Sequence, residues 1–147
     1  MSSPKTPHQG GYCEKCATKA QKYKKVQENR IDQADGIYEK IIRDPAFQRV
    51  LTRHANKRML DRAISTQVLI NSLDDGLPIE MYTVDGEVHL LIFTAIKEEK
   101  KYRPLHIAIK VEKNQKYSIK TIYDPRSQAW KWDESLTQRV CWCKKED

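Results

Sequence analysis

No stretch of the chain approaches the ~18–20 consecutive apolar residues that a membrane-spanning helix needs. Residues 1–10 (MSSPKTPHQG) hold no apolar core of the kind a secretory signal peptide requires. These two absences point to a cytoplasmic protein, or to a domain carried into a target cell's cytoplasm by a larger delivery system, and no membrane partner is expected. Internal repeats are absent, and so is low-complexity sequence outside one Lys-rich stretch. The 147 residues therefore read as one core with small appendages. Acidic residues are scarce at one end only: residues 1–60 hold 13 Lys+Arg against 6 Asp+Glu, whereas residues 61–147 hold 14 of each. The whole formal charge of +7 thus belongs to the first sixty residues. A localised basic field attracts polyanions over about a Debye length, which selects RNA or DNA over anionic lipid as partner. The same charge also suits a solvated helix face with no partner.

Four regions are expected from composition: a tail with the first cysteine pair (1–16), a basic helical extension (17–44), an α+β core (45–129), and a C-terminal strand or tail with the second cysteine pair (130–147). Within the extension, Gly36 is expected to interrupt or end the helix. Asp44-Pro45 looks like a helix start, with Asp44 capping and Pro45 at the first helical position, so a helix is expected to about Arg62. Ser65 caps a further short helix stopped by Gly76. After Gly76 the apolar period changes to two. Residues 79–84, 88–97, 103–112 and 116–123 read as strands separated by Asp85-Gly86, by the charged run Lys97 to Lys101, and by Asn114. Residues 130–143 could add an edge strand. The fold class is α+β: N-terminal helices packed on a four- to five-stranded antiparallel sheet.

On a wheel of about 100° per residue, His54, Arg58 and Arg62 continue the apolar stripe begun by Phe47 and Leu51. Guanidinium groups turned toward a sheet need an anion. Glu80, Glu87 and Glu112 are the carboxylates available on the strands. The rival is a ligand phosphate, which Arg binds bidentately. Thr121 and Tyr123, two apart on the last strand, share a face.

The string HANKRMLDRAIS (54–65), with IKTIYD (119–124), resembles a family of small bacterial and phage-associated domains. Their pattern is H-A-x-x-R-M-x-x-R-x-I-S, a helix ending in Gly, and a meander closing on a T-x-Y strand. That family is similar to the barnase/EndoU/colicin/RelE-like (BECR) group of RNase toxins. The resemblance spans about residues 50–124 and leaves both cysteine-bearing ends outside. It implies helices on an antiparallel sheet and metal-independent RNA cleavage (tRNA or mRNA) through 2′-OH attack to a 2′,3′-cyclic phosphate, by a toxin with a cognate inhibitor, an antitoxin or immunity protein. On this expectation His54 is the acid or base, and Arg58 and Arg62 hold the phosphate. Thr121 and Tyr123 complete the catalytic set, and Lys110, Lys120 and His106 contact substrate. Taken alone, His106 and His89 read as ordinary solvent-facing side chains, and the two lysines as solvated ones. His8, in the tail, carries no role.

Cys13-x-x-Cys16 and Cys141-x-Cys143 are two close pairs of the type that holds tetrahedral Zn2+, in a structural rather than a catalytic site because four cysteines leave no open position. Two disulfides, a redox C-x-x-C and free thiols are the alternatives, although no βαβ pattern surrounds Cys13. A non-catalytic, zinc-containing nucleic-acid-binding regulator is the second functional expectation.

Overall fold

The computed structural model describes residues 13–143. The tail expected over residues 1–11, with His8, lies outside the described residues. The chain forms two compact units, residues 30–124 and residues 13–29 with 125–143.

The larger unit is an α+β layer built on one sheet. Its elements are the second part of α1 (Ala17–Arg43), β1 (Gln48–Leu51), α2 (Arg53–Asp61), α3 (Thr66–Leu73), β2 (Leu77–Val84), β3 (Glu87–Glu98), β4 (Lys101–Glu112) and β5 (Lys116–Tyr123). The sheet is five-stranded in the order β1-β5-β4-β3-β2. The β2–β5 meander is antiparallel, and β1 joins its edge parallel to β5. The meander matches the expected strands to within about two residues because its turns are locally encoded. Asp85 and Gly86 both take positive φ, at 52° and 81°, in the two-residue hairpin between Val84 and Glu87.

Alternation gives the sheet two distinct faces. Leu90, Ile92 and Ile96 of β3, Leu105, Ile107 and Ile109 of β4, and Tyr117, Ile119 and Ile122 of β5 form one buried apolar surface. The helices cover it with Ala34, Tyr38 and Ile41 of α1, Ala55 and Met59 of α2, and Leu69 and Leu73 of α3. Two polar ties fix this layer. Thr94 donates its hydroxyl to the Ser72 carbonyl at 2.7 Å, and Tyr38 donates to the Leu73 carbonyl at 2.6 Å.

Three local expectations are corrected. The helix does not break at Gly36. A Cβ there would meet nothing within 4 Å, and α1 runs through, held by Ala34, Tyr38 and Ile41 at i, i+4 and i+7 on the core. Packing of that stripe outweighs the ~1 kcal/mol penalty of a helical glycine. Asp44-Pro45 does not start a helix. The Asp44 carboxylate accepts from the Ala46 amide at 2.9 Å, closing a turn, and the chain then extends as β1. The apolar residues Phe47, Val50 and Leu51 suit either period over so short a run. Pairing with β5 decides it. Residues 130–143 add no strand, only an isolated bridge between Trp132 and Arg139.

Helix α2 begins instead at Arg53, capped by Thr52. The Thr52 hydroxyl accepts from the Ala55 amide at 3.1 Å and donates to the carbonyls of Ile119 and Lys120 at 3.1 and 3.0 Å. That last pair of carbonyls lies at a bulge. Ile109 pairs with Ile119 but Ala108 with Thr121, so Lys120 is the extra residue. Bulges re-aim a side chain, and this one sends Lys120 across the sheet.

The smaller unit contains a short 3-10 turn at Glu14–Cys16, the first part of α1, and a 3-10 segment at Pro125–Lys131 that breaks at Gln128. Its buried cluster is Cys13, Cys16, Val140 and Cys141, with Trp130 and Trp142 against it. Trp142 meets Tyr23 edge to face at 5.1 Å and carries the Lys19 ammonium over its ring at 4.7 Å. Among the described residues no helix is long and apolar enough to cross a membrane.

Candidate functional site

The eight expected site residues of the larger unit fall into two groups. His54, Arg58 and Arg62 belong to the helical layer. Because α2 starts at Arg53, Phe47 and Leu51 are not on its wheel. The buried stripe is Ala55 and Met59, and the three titratable residues flank it instead of continuing it. His54 is exposed in the first turn, Arg58 is half-buried, and Arg62 is the C-cap, half-buried, with a buried Nε that has no hydrogen-bond partner. Among the described residues no carboxylate pairs with Arg58 or Arg62. The Arg62 carbonyl accepts from Arg103, which pairs with Glu98 at 2.8 Å.

Thr121 and Tyr123 lie on the other face of the sheet. They pair with Ala108 and His106, which alternate with the buried Ile107 and Ile109. The expected meeting of an imidazole and two guanidiniums with these two hydroxyls is therefore corrected. Helix α2 packs on the Ile119 and Ile122 side, whereas Thr121 and Tyr123 face away from it.

That second face is where the remaining residues gather. His106 is fully buried there, not solvent-facing. Its ring lies edge-on between Phe93 and Tyr123, at 6.0 and 5.2 Å, and its Nδ1 is 3.1 Å from the Tyr123 hydroxyl. Burial removes His106 from direct contact with a substrate. Two to four residues further along β4, about 7–13 Å by strand rise, the face is half-buried at Thr121, Lys120, Lys110 and His89. His89 pairs across strands with Lys110 and with Tyr82, whose ring stacks on the imidazole at 5.3 Å with planes 5° apart. The Lys120 ammonium lies 2.7 Å from His89 Nδ1. Lys110 pairs with Glu87 at 3.2 Å, and Ser118 hydrogen-bonds to Glu112. Burial, then the charges of Lys120 and Lys110, hold the His89 imidazole below its ordinary range, against the opposing pull of Glu87. Burial and Lys110 likewise lower Lys120.

His89 is the residue that sequence reasoning missed. Its contact with Lys120 depends on a strand register and on a bulge that no local pattern announces.

The four cysteines converge within the smaller unit. Their sulfurs all lie within 4.8 Å of one another, and Cys143 Sγ is 3.9 Å from both Cys13 Sγ and Cys16 Sγ. Tetrahedral coordination with metal–sulfur bonds of about 2.3 Å places ligand sulfurs about 3.8 Å apart. The cluster could therefore hold a metal ion such as Zn2+. Burial pushes the Cys141 thiol up to about 12, so a set of thiolates there calls for a cation.

Residues 51–124, half of the chain, match the domain of unknown function DUF4258. The chain belongs to this family. The DUF4258 match begins at the end of β1 and closes on β5, so it takes in α2, α3 and the meander, with the whole His89–Lys110–Lys120 cluster, and leaves out the cysteines. No curated protein and no solved structure matches the chain.

Proposed function

We propose that the protein binds RNA on the second face of its sheet and cleaves it without a metal at the scissile phosphate. The observation that carries this reading is the Lys120–His89 contact at 2.7 Å beside Lys110. It gathers a half-buried neutral imidazole and two ammonium groups on one accessible surface. In such a cleavage the 2′-oxygen bonds to the adjacent phosphorus as its proton passes to a base. The P–O5′ bond breaks, and the 5′-oxygen takes a proton from an acid. The pentacoordinate state gathers negative charge in between. An imidazole kept neutral near pH 7 suits the base, and lysines suit both the charge and the donor role. Tyr123 is too far along the strand to serve the same phosphate and is assigned to stacking on a base. Arg58 and Arg62, in the helical layer on the other side of the sheet, take no part in this site, and exposed His54 beside them is the competing imidazole. The family resemblance extends the proposal to a toxin restrained by an inhibitor protein.

Incubation of total RNA with the purified chain, without added divalent cation, tests this. Fragments ending in 2′,3′-cyclic phosphate and starting with 5′-OH are expected. Intact RNA at every enzyme concentration would refute it.

We also propose that Cys13, Cys16, Cys141 and Cys143 hold a structural Zn2+. That cluster favours a second reading, a zinc-containing nucleic-acid-binding regulator. It predicts retarded RNA in a gel with no fragments.

A further inference from the structure

We propose that Lys110, Lys120 and His89 form a phosphate-binding subsite, one residue from each of β4, β5 and β3, that takes a phosphate of an RNA backbone. The identity of the ligand rests on the ribonuclease reading, but the existence of the site does not.

The pairing within the cluster points to an anion at Lys120. Lys110 has Glu87 as its partner. Lys120 has none: among the described residues its ammonium makes no ion pair and contacts only the His89 ring nitrogen. An ammonium has hydrogens to donate and no lone pair. His89 Nδ1 must therefore accept, which leaves the hydrogen of the neutral ring on Nε2. Two ammonium groups and one imidazole N–H thus belong to the cluster, and Glu87 forms an ion pair with only one of them, Lys110. Glu112, two residues from Lys110 on β4, keeps its charge, accepts from Ser118 and pairs with neither lysine. Tyr82, stacked on His89, fixes the ring plane and adds no charge. Burial first, and then the neighbouring ammonium charge, lower both Lys120 and His89. A phosphate removes that conflict. Its oxygens accept from several donors at once, and its charge offsets the ammonium that no carboxylate meets.

The backbone explains why Lys120 is available. It is the bulged residue of β5, with its carbonyl taken by the Thr52 hydroxyl. Ala108, the β4 residue level with Thr121, puts little bulk between Lys120 and His89. When an anion arrives, Lys120 turns to it, and the Nδ1 lone pair is released. In the proposed cleavage that lone pair is the acceptor for the 2′-OH proton. The lysine therefore covers the base until a phosphate is bound.

The experiment is an NMR titration of the full chain, following the histidine ring and lysine ammonium signals. Inorganic phosphate is added in one arm, and a short RNA with deoxyribose at the cleavage step in the other. Both ligands should move the His89 and Lys120 signals. Both should also raise the pH at which His89 protonates, because an anion favours the imidazolium. Lys120→Met and Lys110→Met should each weaken binding about 10-fold or more, the scale of a lost charge-assisted hydrogen bond. Stationary His89 and Lys120 signals, or an RNA affinity unchanged in both variants, would overturn the subsite. RNA cleavage without phosphate engagement here overturns the subsite and leaves the ribonuclease. Phosphate engagement without cleavage leaves the subsite and overturns the ribonuclease. A response to inorganic phosphate but not to RNA keeps the site and assigns it to a small phosphate ligand.

Discussion

Cys141→Ser should release bound zinc and unfold the unit formed by residues 13–29 and 125–143, leaving the sheet intact. The expectation follows from how little else holds that unit. Its buried cluster is three cysteines and a valine. Chains this small need a staple to offset their conformational entropy. Cys141 is fully buried, and its sulfur sits within 4.8 Å of the other three. Serine at that position offers a hydroxyl that does not deprotonate for the metal, and three ligands hold zinc far less tightly than four. Apparent binding energies of structural zinc are on the order of 10 kcal/mol, so the loss exceeds what the local packing can supply. The readout is built in, because all three tryptophans, Trp130, Trp132 and Trp142, lie in this unit. One zinc per chain by elemental analysis should fall to none, and tryptophan emission should shift to the red. The far-ultraviolet signal of the sheet should persist. A wild-type protein with no zinc, and a variant with unchanged emission, would remove the metal from the account.

Gly76→Ala should destabilise the larger unit by about 2–4 kcal/mol, unusually much for the addition of one methyl group. A Cβ at Gly76 would lie 2.4 Å from the Tyr38 hydroxyl oxygen and 2.7 Å from Ile92 Cγ2. Neither neighbour can give way cheaply. Tyr38 is buried and donates to the Leu73 carbonyl at 2.6 Å, and Ile92 is in the middle of β3 with no exposure. Burial holds the Tyr38 phenol above its ordinary value, so it stays protonated and keeps donating. Displacing it leaves the buried phenol without its acceptor as well as an overpacked core, although the Leu73 carbonyl still accepts from the Gly76 amide at 3.1 Å. The check is a double-mutant cycle by urea denaturation. Tyr38→Phe alone should cost about 1–2 kcal/mol. In that background Gly76→Ala should cost less than in the wild type, because the closest atom is gone. Strict additivity of the two changes would mean that the clash is not what Gly76 avoids.

Legibility in the sequence followed the range of the interactions. The meander was readable because each turn carries its own signal, as at Asp85-Gly86, and because the strands alternate cleanly. Ser65 was readable as a cap, and its hydroxyl accepts from the Val68 amide at 3.1 Å. The convergence of Cys13 and Cys16 with Cys141 and Cys143 was readable from their paired spacing. What failed was non-local. Gln48–Leu51 becomes a strand only because residues 116–119 lie beside it. That pairing moves the start of α2 and breaks the stripe expected from Phe47 to Arg62. Lys110, Lys120 and Thr121 were singled out and do share one region. His89 is not legible, because a histidine on a strand face looks ordinary until the register shows what stands opposite. The burial of His106 is not legible either, because alternation gives the face of a residue and not what flanks it.

The central claim is that RNA lies across strands β3 to β5 on the face away from the helices. The most direct measurement is photocrosslinking of RNA carrying 4-thiouridine, with the attachment sites mapped by mass spectrometry. The account predicts attachment at Tyr82, His89, Lys120 or Tyr123, lost when unlabelled RNA competes. Attachment confined to the lysines of α1 or to the His54–Arg62 segment would contradict it.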